Sequence, residues 1–225
     1  KEDVFFNYKE VISKLPLVKA MLNSLSYIIV IIALGLIVNS MAGYAFARLK
    51  FPKKNLLFAL ILAVMIIPAQ TVMLPQFSII YKMGLSNSYL ALILPAIASP
   101  MYIFLFRQNF MGIPESIEEA AKLDGASAIR TFFQLVVPLA KPVYATVGIL
   151  VFIACWNDYV GPLMYLQDSK LYTLGIGLQM FKNAAQPEWT LLMAASTVFT
   201  VPLIVIFFFC QNAFLNGIQT TSGIK

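Results

Sequence analysis

The chain has no histidine, and only 12% of its 225 residues are charged. The missing histidines remove the commonest metal ligand and the usual general base near neutral pH. A soluble domain carries roughly 25% charged residues. With 60% of its residues hydrophobic and a mean hydropathy of +0.82, this chain has more apolar surface than one soluble core can hide. The bilayer is its natural solvent. Cysteine is scarce too. Cys155 and Cys210 sit inside apolar runs and read as small buried hydrophobes rather than a disulfide. There is no Gly-x-x-x-x-Gly-Lys-Ser/Thr loop to cradle phosphates, so ATP hydrolysis does not belong to these residues. The net charge of +6 comes from Lys and Arg placed between apolar runs, as in membrane-protein loops, which argues against nucleic-acid binding.

Five apolar runs are each about long enough to cross a ~30 Å hydrocarbon core as a helix. They are roughly Leu25–Phe46, Leu56–Leu74, Tyr89–Phe106, Val143–Leu166 and Leu191–Phe209. Their length and lack of alternation favour helices over strands. The expected fold class is therefore all-α integral membrane. Residues 1–22 read as an extracytoplasmic segment, 23–217 as the transmembrane domain and 218–225 as a cytoplasmic tail. Pro68, Pro75, Pro95, Pro100, Pro162 and Pro202 mark kinks or span ends. Residues 167–189, long and partly apolar, suggest a re-entrant or interfacial segment.

Orientation follows from basic residues near span ends. Placing Arg48, Lys50, Lys53 and Lys54 in the cytoplasm puts nine Lys and Arg inside against seven outside. The dense cluster at 48–54 decides the direction. The N-terminus then lies outside, which with five spans predicts a sixth before Lys1.

The polar stretch "EAAKLDGASAIRTFFQLVVPLAKP" (119–142) then faces the cytoplasm. Residues 113–124 predict a short helix, with Pro114 at the first helical position and Glu115, Glu118 and Glu119 complementing the dipole. Gly125 suits a left-handed cap. Ser127 can N-cap a second helix over 128–137, which stops before Pro138. Phe132 and Phe133 are expected to anchor it. A solvated loop helix and a docking surface fit these residues equally well.

Glu119-Ala120-Ala121, then Asp124-Gly125-Ala126, then Phe132, Pro138 and Pro142 resemble the EAA loop of ABC importer permeases. The likeness extends through "IIPAQTVMLPQFSIIYKMGLSNSYLALILP" (66–95) and "WNDYVGPLMYLQDSKLYTL" (156–174) to the carbohydrate-uptake, maltose-type branch, and runs from about Asn23 to the C-terminus. Val136-Val137-Pro138 departs from the commoner Leu-Pro ending. The resemblance implies a type I ABC importer transmembrane domain of six spans, with an EAA coupling hairpin at 113–138. It also implies a second permease as heterodimer partner, two cytoplasmic ABC ATPases and an extracytoplasmic sugar-binding protein. Glu119, Ala120, Ala121, Asp124, Gly125 and Ala126 would dock in the ATPase, with Glu119 meeting a basic residue there. No cofactor or metal is expected in the chain itself; ATP and Mg2+ would bind the partner ATPase.

Asp158 is the one Asp, Glu, Lys or Arg within the five runs, and such a carboxylate usually faces protein or a water-filled cavity. It lies about 22 Å into its span at 1.5 Å per residue. Trp156, Asn157 and Asp158 are candidates for the translocation path, and a carboxylate reaching the outer interface explains Asp158 equally well. Asn39 and Gln70 could line the same path, or hydrogen-bond between helices. The implied cargo is a sugar, most readily an oligosaccharide, with a polyol, glycerol phosphate or uronate oligomer as alternatives. An ion-coupled carrier would want a deeper charge relay, and a membrane enzyme a convergent set of catalytic groups; neither is legible.

Overall fold

The structure, a computed structural model, describes residues 6–14, 17–182 and 189–221. The described residues are helical, with no strand among them. In chain order the helices are α1 (Phe6–Lys14), α2 (Leu17–Arg48), α3 (Lys54–Val64), α4 (Ala69–Lys82), α5 (Leu90–Ala96), α6 (Pro100–Met111) and α7 (Glu115–Leu123). There follow α8 (Ala128–Thr131), a π-helical turn (Phe132–Val136), α9 (Val137–Leu139), α10 (Lys141–Trp156) and α11 (Val160–Tyr165). A 3-10 turn (Ser169–Leu171), α12 (Leu174–Lys182) and α13 (Trp189–Thr221) complete them.

Among the described residues two helices are long and apolar enough to cross a bilayer unbroken, α2 and residues 189–208 of α13. Three bent pairs reach that standard only when joined: α3 with α4, α5 with α6, and α8–α9 with α10. Up to five crossings result, but only two of the five expected runs are continuous helices. The run Val143–Leu166 is itself interrupted at residues 157–159, between α10 and α11. Hydropathy counts apolar residues and does not register where the backbone leaves the helix. α2 begins at Leu17, ahead of the expected boundary at 22/23, and α13 runs past 217 to Thr221. Residues 183–188 and 222–225, parts of the expected interfacial segment and tail, lie outside the described residues.

The helices sort into two compact units. The first comprises residues 1–31, 73–95 and 151–209. Within it, α2 buries Leu17, Ala20, Ser24, Tyr27, Ile28 and Ile31, a stripe at helical spacing. The opposite face, with Leu22, Ile29 and Val30, stays exposed, as hydrocarbon or a neighbouring subunit allows. The segment 165–174 is pinned by polar side chains. Asn23 Nδ2 donates to the carbonyls of Lys170 and Tyr172 at 2.9 and 3.0 Å. The Leu174 N–H donates to Ser24 Oγ at 2.9 Å. Asn87, at φ 56, accepts from the N–H groups of Gln167 and Asp168 through Oδ1, both at 2.9 Å. Asparagine tolerates that left-handed conformation better than most residues. The expected re-entrant segment is thus, through residue 182, a turn and a packed helix, with Leu174 and Ile176 buried.

The second unit comprises residues 32–72, 96–150 and 210–225. α2 and α6 meet closely at Gly43, where a Cβ would stand 2.6 Å from Phe106 Cβ. No side chain fits there. Carbonyls at and just past the end of α2 accept from basic side chains: Lys54 Nζ donates to Ala47 and Leu49, and Arg107 Nε donates to Phe46. Arg107 also lies over the Phe58 ring, 4.2 Å from its centroid, a cation–π contact. These bonds fold the basic turn 48–54 against the helix end, so part of its positive charge is held by backbone oxygens.

Candidate functional site

The polar stretch forms a helical hairpin in the second unit. α7 starts at Glu115, with Pro114 at the N-cap position, one residue outside the helix rather than inside it. Its end is a Schellman motif. The Gly125 N–H donates to Lys122 O at 3.0 Å and the Ala126 N–H to Ala121 O at 2.9 Å, with Gly125 at φ 76. Ser127 caps the second arm as expected, its Oγ accepting from the Arg130 N–H at 3.3 Å. That arm does not stop before Pro138. It passes through the π turn and continues to Leu139. Proline has no N–H to donate and crowds the carbonyl four residues back. The wider turn, in which the Val137 N–H reaches Phe132 O, lets the chain pass this point while remaining helical.

The six residues expected to dock are brought together on this hairpin. Ala121 is buried in its interior and Ala126 is half-buried. Glu119, Ala120, Asp124 and Gly125 are exposed. Between the arms lies a cleft of about 570 Å³, whose lining includes Ala120, Asp124, Arg130 and Gln134. Leu123, a large apolar side chain on the tip, is 89% exposed. Of the two expected anchors, Phe132 is buried, whereas Phe133 is half-exposed and packs edge-on against the Phe132 ring, 4.9 Å between centroids. The π turn directs only one of the adjacent rings inward.

What holds the hairpin is a group that sequence reading missed. Glu118 is buried between the arms and the end of α2. Its Oε2 accepts from the Tyr44 hydroxyl at 3.1 Å, and its Oε1 lies 2.9 Å from Arg48 Nε. Both side chains of this ion pair are 8% exposed. Arg48 also donates to Glu115 Oε1 at 3.2 Å, to Phe110 O at 2.8 Å and to Ile113 O. The Tyr44 ring packs on Phe110 and Phe132, with centroids 6.2 and 5.1 Å away. One signal was available. Glu118 shares a helical face with Ala121, three residues on, so the periodicity that buries Ala121 buries Glu118 as well.

The path candidates fall in both units. Asn39 is fully buried in the second unit, with its amide fully engaged. Nδ2 donates to Gly35 O at 2.6 Å and to Ile97 O at 2.9 Å, and Oδ1 accepts from the Ser99 N–H at 2.8 Å. It closes the break between α5 and α6 rather than presenting a group to a passing solute. Gln70, near the start of α4, is exposed. In the first unit, Trp156 is buried between Phe152 and Phe199, its Nε1 donating to Phe199 O at 3.1 Å. Asn157 and Asp158 are exposed in the break after α10. Asn157 Nδ2 donates to Ile153 O at 2.8 Å, and Asp158 Oδ1 accepts from the Gly161 N–H at 3.0 Å. Asp158 thus satisfies an N–H at the start of α11, whereas Asn157 shares Ile153 O with its own backbone N–H. Among the described residues no cluster of three His, Cys, Asp or Glu could hold a metal ion.

Comparison with known proteins gives the hairpin its context. Residues 31–219 match the family described as binding-protein-dependent transport system inner membrane component. The arabinooligosaccharides transport system permease protein AraQ of Halalkalibacterium halodurans is 37% identical over 203 residues, 90% of this chain and 72% of that protein. The lactose transport system permease protein LacG of Rhizobium radiobacter is 33% identical over 195 residues, 87% of this chain and 71% of that one. The crystal structure of a bacterial ABC transporter involved in the import of the acidic polysaccharide alginate superposes with a TM-score of 0.86 at 23% identity. That match covers 95% of this chain and 81% of the other, and it speaks to the fold. The chain belongs to the binding-protein-dependent transport system inner membrane component family: it is a multi-pass ABC importer permease, a transport subunit and not an enzyme.

Proposed function

We propose that this chain is one of two permease subunits of an ATP-driven oligosaccharide importer. A second, related permease completes the passage, and an extracytoplasmic binding protein delivers the sugar. Two cytoplasmic ATPases bind ATP and Mg2+ and dock at the hairpin. The N-terminal side of α2 lies outside and the C-terminal end of α13 inside. The observation that carries this reading is the hairpin itself. A Schellman-closed tip exposes Glu119, Ala120 and an almost bare Leu123 while the arms are held from within. A small-residue face with one charge and one apolar knob suits insertion into a protein cleft. Solvent alone would not favour an exposed Leu123. The sugar class is supported by the arabinooligosaccharide and lactose relatives.

ATP binding would close the ATPases and carry the hairpin between two positions, a rigid-body switch driven by a difference in contacts between two states. The test is gentle detergent purification of the tagged chain, identification of what co-purifies, and assay of ATPase and of labelled arabino-oligosaccharide uptake in liposomes. A second permease and a Walker-motif ATPase are expected, with the ATPase lost when Glu119 and Gly125 are both disrupted. A chain that purifies alone and carries solute without ATP would overturn the reading.

A further inference from the structure

The end of α2 grips three separate parts of the second unit. Through Glu118 it holds the first arm of the hairpin, and through the Tyr44–Phe132 contact it holds the second. Through Phe110 O, Ile113 O and the Gly43–Phe106 contact it holds the end of α6 and the link into the hairpin. The grip is ionic at its centre and buried. Removing one partner of such a pair leaves the other charge uncompensated away from water, so the contact resists opening. A surface ion pair would yield far more easily.

We propose that the C-terminal end of α2 and the hairpin move as one body during transport, and that the Arg48–Glu118 pair with Tyr44 is the joint that transmits the hairpin's displacement to that helix end. Arg48 and Glu118 are positioning residues: neither needs to touch sugar or ATP. The joint rests on the reading that an ATPase drives the hairpin. It assigns a duty to residues outside the docking face, since Glu118 and Ala121 point inward where Glu119 and Ala120 point outward. It also explains why a carboxylate stands at position 118 on the inner face of α7, where an apolar residue would fill the space at lower desolvation cost. An apolar residue could not bridge Tyr44 and Arg48 at once.

The test uses the full complex with its partner permease and ATPase, in a background where Cys155 and Cys210 are replaced by serine. Spin labels at Leu49 and Leu123, both exposed, report the distance from the end of α2 to the hairpin tip. The wild-type distance is expected to be the same in the nucleotide-free and the ATP–vanadate-trapped complex. In E118Q it should broaden in both. A wild-type distance that shifts between the two states would overturn the proposal, because the joint would then open during the cycle. A second readout is sugar imported per ATP hydrolysed. Networks of this kind modulate coupling by roughly 2- to 30-fold, and E118Q, R48Q and the double variant are expected to lose a similar factor while retaining the ATPase. Losses that multiply in the double variant, or an unchanged ratio in all three, would overturn it. If R48Q does not accumulate, Y44F removes one hydrogen bond without removing charge and is expected to lower the ratio less than E118Q does. An unaltered ratio in Y44F together with an unaltered ratio in E118Q counts against the joint. A wild-type complex that neither binds an ATPase nor uses ATP would overturn the parent reading, and this inference with it.

Discussion

Two neighbouring glutamates on α7 show how one step along a helix separates two duties. Glu118 turns inward to an arginine and a tyrosine; Glu119 turns outward. Replacement of the outer one, Glu119→Lys, is expected to leave the protein inserted but to uncouple uptake from ATP hydrolysis. Normal sugar uptake in that variant would remove its coupling role. Asn39 offers a different test. Its amide serves three backbone groups in a fully buried site, and truncation leaves Ile97 O and the Ser99 N–H without that partner. Asn39→Ala is expected to destabilise the permease by about 2–4 kcal/mol, since each orphaned buried group costs roughly 1–3. Thermal unfolding followed by size-exclusion chromatography in detergent would show the drop. A solute-lining Asn39 would instead alter uptake with the melting temperature unmoved. The sequence placed Asn39 in the membrane and offered both duties; only the neighbours of its amide decide between them.

At the level of the element, the hairpin was readable where its rules are local. Gly125 at a left-handed cap and Ser127 at an N-cap depend on residues three or four positions away, and both stand where expected. The partners of Glu118 were not readable, because Tyr44 lies 74 positions earlier and no local rule links them. The fate of Pro138 was misread for a related reason. The local rule ends a helix before a proline, whereas a π turn lets this one continue. Gly125→Ala is expected to cost about 1–2 kcal/mol from backbone strain alone, since nothing lies within 4 Å of the added Cβ. It should loosen ATPase binding in a pull-down more than it lowers the yield of folded permease. Gly43→Val attacks a helix contact instead. Its Cβ would overlap Phe106, and overpacking of this kind typically costs about 1–3 kcal/mol. Loss of folded permease, rather than an altered ratio of sugar to ATP, is the expected outcome.

For the whole molecule, composition was enough to establish a multi-pass helical membrane protein, and the motif spacing to suggest its family. The breaks were not readable from composition. Three of five apolar runs are interrupted, and Asn39 and Asp158 take over backbone groups at two of the breaks, which a hydropathy window averages across. The break at 157–159 holds two of the expected path residues, Asn157 and Asp158. Asp158 caps α11 through Gly161 yet remains exposed. Asp158→Asn keeps an oxygen able to accept that bond while removing the charge. It is expected to lower uptake without releasing the ATPase if the carboxylate faces the solute. Unchanged uptake in liposomes would reduce Asp158 to its capping duty.

The break between α5 and α6 has a further bearing on how this protein is made. α5 has 7 residues and α6 has 12, so at 1.5 Å per residue neither half reaches across a ~30 Å core. Neither is a competent insertion signal by itself. The groups that close the gap between them come from Asn39, on a helix synthesised earlier and long enough to enter lipid unaided. The bend in the span of residues 90–111 is therefore fastened by a helix that leaves the ribosome before it.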